Sequence, residues 1–229
     1  MSLAVVAFVP MRHSSERVRG KNYRPFNGVP LFHRIVSTLL SVDRITTVVI
    51  DTDSPTVKDQ AADAFPSVEV IDRPEHLLGG HVPMTDVLQH DAAQVPSEWY
   101  LQTHTTNPLL RASTIDAALD RMEQQIGDHD SLFSVTRLQT RLYAADGSPI
   151  NHDPKVLLRT QDLPPIYEEN SNLYVFTAEQ IAGGRRMGDR PILFEIDPLE
   201  AVDIDEEPDF VLAEALDRHF ARRDLLRAE

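Results

Sequence analysis

Three groups of polar residues have types and spacings suited to chemistry on a phosphorylated ligand. The first is Arg12-His13-Ser14-Ser15-Glu16-Arg17-Val18-Arg19-Gly20-Lys21-Asn22. From Arg12 to Arg24 there are five basic side chains and one acid, in a chain of net charge -14. A cationic loop in an acidic protein suggests a phosphate grip; an exposed loop with a chance excess of arginine is the plain alternative. Arg12 and Lys21 can neutralise phosphate oxygens, while Ser14, Ser15 and Gly20 are small enough to let backbone N–H groups approach them. There is no G-x-x-x-x-G-K-[ST] pattern, which disfavours a P-loop ATPase.

The second group is Thr103-His104-Thr105-Thr106-Asn107-Pro108, whose amide and hydroxyl groups could read a base or a sugar. It could equally be a loop of turn formers. His104 is its only histidine, and a lone histidine is more often structural than catalytic. The third group is Asp203-Ile204-Asp205. In an extended segment both carboxylates point to one side and Ile204 to the other. Paired carboxylates suit Mg²⁺, which takes one or two of them together with substrate phosphate oxygens. Eight acids and no bases lie between Glu195 and Asp209, so an acidic turn leading into a helix is the competing reading. Asp51 and Asp53 repeat the D-x-D spacing, but Asp53 precedes a helix cap and is expected to shape a turn. Glu168 and Glu169, beside Asn170, are candidates to face the same cleft.

These groups need a frame that brings them together. Ala4–Val9 reads as a buried first strand, ending at the basic loop. Pro30–Ser41 carries apolar residues at helical spacing, and Ile45–Ile50 is a β-branched second strand. Ser54 can cap a helix, with Pro55 at its first position, running to about Phe65. Val68–Ile71 reads as a strand, Pro83 to about Gln94 as a helix, and Trp99–Gln102 as a strand. Residues 112–126 read as a helix and Ser131–Thr136 as a strand. Such alternation implies βαβ units and a mostly parallel sheet, with ligands beyond the carboxyl ends of its strands. Residues 138–169 lose all periodicity and read as an excursion with short strands, a candidate arm for packing on a second subunit. Asn172–Phe176 resumes the sheet and Ile192–Ile196 adds an edge. The last helix, from about Pro208 to Arg227, should bury Phe210, Leu212, Ala213, Leu216, Phe220 and Leu225.

Composition removes several function classes. With no cysteine, disulfides, thiolate zinc sites and cysteine nucleophiles are excluded. The acidic balance argues against generic nucleic-acid binding, which needs a broad excess of Lys and Arg. No apolar run reaches the roughly 20 residues that span a bilayer, and the first strand lacks a basic leader, so neither a membrane nor a signal peptide is expected. These features suit a cytoplasmic protein of one domain over residues 1–229, with the arm at about 138–169.

In this order, the groups resemble the cytidylyltransferases that activate acidic sugars, especially the CMP-N-acylneuraminate (CMP-sialic acid) synthetases. The likeness spans nearly the whole chain. Arg12, Ser15, Lys21 and Asn22 resemble the family's opening signature, and Arg73-Pro74 its Arg-Pro pair. Leu101-Gln102 with Asn107-Pro108-Leu109 is similar to its Leu-Gln…Pro-Leu segment, and Asn170 with Leu173-Tyr174-Val175 to its Asn-Gly-x-(Ile/Leu)-Tyr strand. Val202-Asp203-Ile204-Asp205 with Asp209-Phe210 resembles its D-I-D…D-(F/L) ending.

The resemblance implies a Rossmann-like three-layer α/β/α nucleotidyltransferase fold with a small dimerisation arm. It implies transfer of CMP from CTP to an acidic nine-carbon sugar, with Mg²⁺ as cofactor, in a homodimer. Arg12 and Lys21 would be catalytic and hold the triphosphate, with Ser15, Asn22, Arg73 and Gln102 also on the nucleotide. Gln102, Lys155, Arg159 and Asn170 would meet the sugar, and Asp203 and Asp205 the metal. Four departures stand out. Glu16 replaces a usual Lys, Gly80 and Val82 replace an Asp and a Ser or Thr, the Thr103–Asn107 segment is longer, and Ser171 replaces a glycine. A synthetase for the eight-carbon acid KDO is the neighbouring reading, less favoured because Lys21-Asn22 replaces the Pro-containing ending usual there. From another class, a catalytically weakened nucleotide-binding module is the alternative that Glu16 and Gly80 favour.

Overall fold

The computed structural model describes residues 3–228, with side chains described as far as residue 221. Seven strands form one sheet in the order β5-β4-β1-β6-β8-β7-β9. They are β1 (Val5–Met11), β4 (Ile45–Thr52), β5 (Glu69–Asp72), β6 (Trp99–Gln102), β7 (Ser131–Leu138), β8 (Ile166–Thr177) and β9 (Pro191–Glu195). Only β8 runs against its neighbours, pairing antiparallel with both β6 and β7.

The central strands read as continuous apolar runs because both faces are covered. Val5, Ala7 and Val9 pack with α1 (Leu31–Leu40), α2 (Pro55–Ala64) and α4 (Ala112–Gln125). Val6 and Phe8 point the other way, into the layer of α3 (Met84–Gln94) and α5 (Ala178–Ala182). This is the three-layer α/β/α arrangement that the resemblance implies, built on the mostly parallel sheet that the alternation of elements anticipates. Ser54 caps α2, accepting from the Val57 N–H at 3.3 Å, with Pro55 at the first position.

A third, smaller core is built by residues far apart in sequence. Val18 from the basic loop, Phe26 and Leu31, Ile204 between the two aspartates, and Phe210 and Ala213 from α6 (Glu207–Ala228) pack together. Phe26 belongs to a hairpin of β2 (Pro25–Phe26) and β3 (Val29–Pro30), turned by Asn27 and Gly28, both at positive φ as a two-residue turn demands. Asn27 is tied to α6 through Glu214 at 2.9 Å and Asp217 at 2.7 Å. Burial of Ile204 thus fastens the basic loop to the acidic segment. Ile204→Ala should cost about 3 kcal/mol and lower turnover as well, read together by thermal melting and product formation; full activity in a folded variant would show that the clamp does not position the site.

One boundary and one burial are revised. The stretch 138–169 holds a short strand as expected, but it is the start of β8: Ile166–Glu169 pair with Val135–Leu138. Tyr167, Glu168 and Glu169 are exposed there, so no apolar alternation marked the strand. Leu212 is exposed on α6 rather than buried, because Phe210, Ala213 and Phe220 already fill the inward face; Leu216 is half-buried, and the Leu225 side chain lies outside the described residues. No described helix is long and apolar enough to cross a membrane.

Candidate active site

The chain turns from β1 outward to β4 and β5 on one side, and to β6 on the other. Open α/β sheets bind ligands at such a switch point, beyond the carboxyl ends of the strands. A cleft of ≈ 320 Å³ lies there, lined by Arg12, Ser15, Glu16, Lys21, Arg73 and Thr106 among others. A larger groove of ≈ 740 Å³ runs beside α1 and α6, but its charged pair, Arg34 and Asp217, is already mutually neutralised.

Lys21 stands at the junction of the basic and acidic groups. Gly20, at φ +64, turns the chain into it, and a Cβ at Gly20 would come 2.9 Å from the Tyr23 ring. Lys21 Nζ donates to the Ile204 carbonyl at 2.6 Å, between the two aspartates. Burial lowers its pKa, against the opposing pull of Asp203 and Asp205. The aspartate segment is anchored at its backbone: Ile204 N–H donates to Thr106 O at 2.9 Å, and Asp205 N–H to Asp209 at 3.1 Å. With Ile204 buried, the flanking carboxylates turn outward, as an extended segment requires. The Asp203 carboxyl is raised above its ordinary value, first by loss of surrounding water and then by the Asp205 charge, against the lowering bond to Thr106. Asp205 is ion-paired with Arg17 at 2.6 Å.

Asn22 is buried and joins two loops. It donates to the Arg12 carbonyl at 2.8 Å and accepts from the Thr105 hydroxyl at 2.6 Å. These bonds fix the Arg12 backbone, and Asn22 also lines the cleft. The other side of the loop is pinned by Asp53, which accepts from the His13 N–H at 2.6 Å. Arg73 is buried on Asp51 yet lines the cleft. A Cβ at Gly80 would lie 3.7 Å from Arg12 Nη1 and 3.8 Å from Glu16 Oε1, so that glycine leaves room where the two side chains converge.

Gln102 is fully buried at the end of β6. Its Oε1 accepts from Arg186 Nη1 at 2.9 Å, and its Nε2 lies 2.8 Å from His104 Nε2. His104 is held neutral, its pKa falling to about 4 through burial and then the Arg186 and Lys21 charges. Arg186 has further partners: its guanidinium lies 3.7 Å over the Tyr174 ring, donates to the Tyr174 hydroxyl at 3.0 Å and meets Glu169 at 3.5 Å. Arg186 escaped the sequence reading. It follows a Gly183-Gly184 turn in a segment with no periodic pattern, and nothing in its spacing ties it to Gln102, 84 positions away.

The remaining sugar-site candidates lie elsewhere. Asn170 is engaged between strands, accepting from Ser134 at 2.6 Å and donating to Thr136 at 3.0 Å where the β7–β8 register shifts. Its neighbour Ser171 sits at φ 57, the left-handed region that a glycine takes without strain. Lys155 and Arg159 are exposed on the arm, with Arg159 turned back onto Asp162 at 2.7 Å. Within one chain the fold brings together Arg12, Ser15, Lys21, Asn22 and Arg73 with the aspartate segment. It sets Gln102 beside His104, while Lys155, Arg159 and Asn170 do not line this cleft.

The sequence matches the family model described as cytidylyltransferase over residues 6–222. The chain belongs to the cytidylyltransferase family. It is thus a nucleotidyltransferase by kinship. It is 25% identical to the CMP-N,N'-diacetyllegionaminic acid synthase of Legionella pneumophila, over 93% of this chain and 96% of that one. It is 23% identical to N-acylneuraminate cytidylyltransferase A of Danio rerio, over 92% of this chain and half of that longer protein. Among solved structures, a CMP:2-keto-3-deoxy-manno-octonic acid synthetase complexed with CTP superposes with TM-score 0.70 at 16% identity, covering 94% of this chain and 99% of that one. A 4-diphosphocytidyl-2C-methyl-D-erythritol synthase does so at 0.65 and 14%, covering 93% and 98%. At these identities the solved cytidylyltransferases speak for the fold alone.

Proposed function

We propose that this protein transfers CMP from CTP to the anomeric hydroxyl of a 2-keto-3-deoxy sugar acid of the nine-carbon, sialic-acid-like class. The anomeric oxygen attacks the α-phosphorus and a new P–O bond forms. The bond from that phosphorus to the bridging oxygen breaks, pyrophosphate leaves with the electron pair, and the hydroxyl proton passes to solvent. The observation that carries the reading is the contact of Lys21 Nζ with the Ile204 carbonyl, which sets a phosphate-binding loop against an outward-facing carboxylate pair. The full-length match to a synthase of the same chemistry, 25% identical, supports the acceptor class.

In this reading Arg12 and Lys21 hold the triphosphate, the Ser15 region offers backbone N–H groups, and Arg73 and Gln102 border the nucleotide. Asp203 and Asp205 fit Mg²⁺ by donor type: two hard carboxylates on one side of an extended segment, with the Asp203 carboxyl raised first by burial and also by the Asp205 charge. The ion, when bound, would offset charge building on the phosphate oxygens. Lys21 supplies a fixed cation to the same oxygens, and Asn22 keeps the Arg12 backbone from moving as they rearrange.

Arg186 is the cation nearest Gln102 on the acceptor side, and the acceptor carboxylate is assigned to it. Lys155 and Arg159 could reach such a site only from a second subunit. Their arm exposes Tyr143, Ile150, Val156, Leu157 and Leu158, with Leu157 88% exposed, which suits burial against another copy in a homodimer. Light scattering of the purified protein would return a monomer mass if that is wrong.

The test is pyrophosphate release from CTP and Mg²⁺ against a panel of sugar acids including sialic, legionaminic and pseudaminic acids and KDO. Turnover with a nine-carbon acid is expected. In Arg186→Ala the acceptor KM should rise about tenfold or more, with little change in the KM for CTP. Retained CTP binding without turnover on any acid would overturn the enzyme reading in favour of a nucleotide-binding module. Preference for KDO would move the acceptor to the eight-carbon class.

A further inference from the structure

Behind Arg73 lies a buried group of acids that the proposed chemistry does not use. Asp51, near the end of β4, is 1% exposed and Asp91, on α3, is 0% exposed. Arg73 donates its Nε–H to Asp51 Oδ1. The remaining oxygens, Asp51 Oδ2 and both of Asp91, have no donor within reach. His90, on the same helix, is the other titratable neighbour; one side-chain atom each from Asp51, His90 and Asp91 lie within 4.8 Å of one another.

Two ionised carboxylates here would leave one guanidinium to balance two charges, with three acceptor atoms out of water and unpaired. Buried like charges at this range relieve each other by sharing a proton. One proton on Asp91, donated to Asp51 Oδ2, brings the Asp51–Asp91–Arg73 group to zero net charge and satisfies both an orphan oxygen and the new O–H. Asp51 is then fixed from two sides, by Asp91 and by Arg73, and can hold the guanidinium still at the edge of the cleft. Burial and the Asp51 charge push Asp91 up to about 9, in keeping with a neutral acid at ordinary pH.

We propose that Asp91 is a positioning residue: a neutral carboxylic acid that donates its proton to Asp51 and so orients Arg73 toward the nucleotide. The nucleotide part rests on the function proposed above, whereas the proton on Asp91 does not.

The test compares wild type with Asp91→Asn and Asp91→Ala. The asparagine amide can give Asp51 the same N–H···O bond without needing a proton. Because the folded-state value of Asp91 lies above its unfolded one, the wild type loses stability as pH rises through the interval between them. The Asp91→Asn protein has no such loss. Its thermal midpoint should equal or exceed that of wild type, and the difference should widen by several degrees between about pH 5 and about pH 8. Asp91→Ala should melt lower at both pH values. By calorimetry its Kd for CTP should rise about tenfold, while Asp91→Asn stays within about twofold.

A lower midpoint for Asp91→Asn at every pH would overturn the proposal, since Asp91 would then be serving as an anion, toward protonated His90 or a metal ion. Chelator-sensitive melting that persists in Asp203→Ala but is lost in Asp91→Ala would overturn it in the same way. If wild type binds no CTP, the functional reading fails, but the pH-dependent midpoint difference still decides the state of Asp91. Equal CTP affinity in all three proteins would remove the positioning role.

Discussion

Asp203→Ala should lower Mg²⁺-dependent turnover by about a hundredfold to a thousandfold, with the thermal midpoint moving by no more than about 2 °C. The two outcomes follow from the same geometry. Asp203 projects outward beside buried Ile204, so its side chain contributes little to the small third core. Its raised carboxyl signals that ionisation there is opposed, by loss of water and by Asp205, and removing it relieves that repulsion even as a bond to Thr106 is lost. A cation and a triphosphate favour the ionised carboxylate that the empty fold disfavours. Turnover and melting measured on one preparation separate the roles. An active variant would remove Asp203 from the metal site, and a large fall in midpoint would recast it as structural.

Lys21→Met carries the second large effect. The substitution keeps the unbranched stem and deletes the charge, so the loss reports on electrostatics more than on packing. Turnover should fall about a hundredfold or more, with a raised KM for CTP, since Lys21 places a cation between the two aspartates, where the loop also meets Asp205 through Arg17. The pH profile gives a further check. Burial lowers the Lys21 pKa below its usual 10.5, so the cation is lost at a lower pH than an ordinary lysine would allow, and turnover should decline on the alkaline side as it is lost. Lys21→Arg retains the charge at higher pH and should shift that limb upward, even if its maximum is lower because a guanidinium does not fit the single Ile204 carbonyl in the same way. An unchanged alkaline limb would show that another group sets it.

Much of the frame was legible because its signals are local. Val5 to Val9 form an apolar run, Ser54-Pro55 open a helix, and the D-x-D spacing needs only an extended backbone to put both carboxylates on one side. The resemblance links Arg12, Lys21 and Asn22 to Asp203 and Asp205 without any distance. Asn170 shows what local pattern does not carry: its position resembles a family strand, while the bonds of its amide to Ser134 and Thr136 at a register shift come from the fold. No sequence pattern marks a β-bulge partner.

The amino-acid sequence by itself determined the main alternation of strands and helices, though not the β2–β3 hairpin or α5, together with the α/β class, the cationic loop and the orientation of the aspartate pair. These depend on periodicity, capping and charge within a few residues. Tertiary structure alone decided that Lys21 meets Ile204 across 183 positions, that Arg186 braces Gln102, and that Asp51 and Asp91 face each other behind Arg73. Those contacts arise because both faces of the sheet are covered and the third core fixes how its distant segments dock. Spacing along a chain carries no record of that docking.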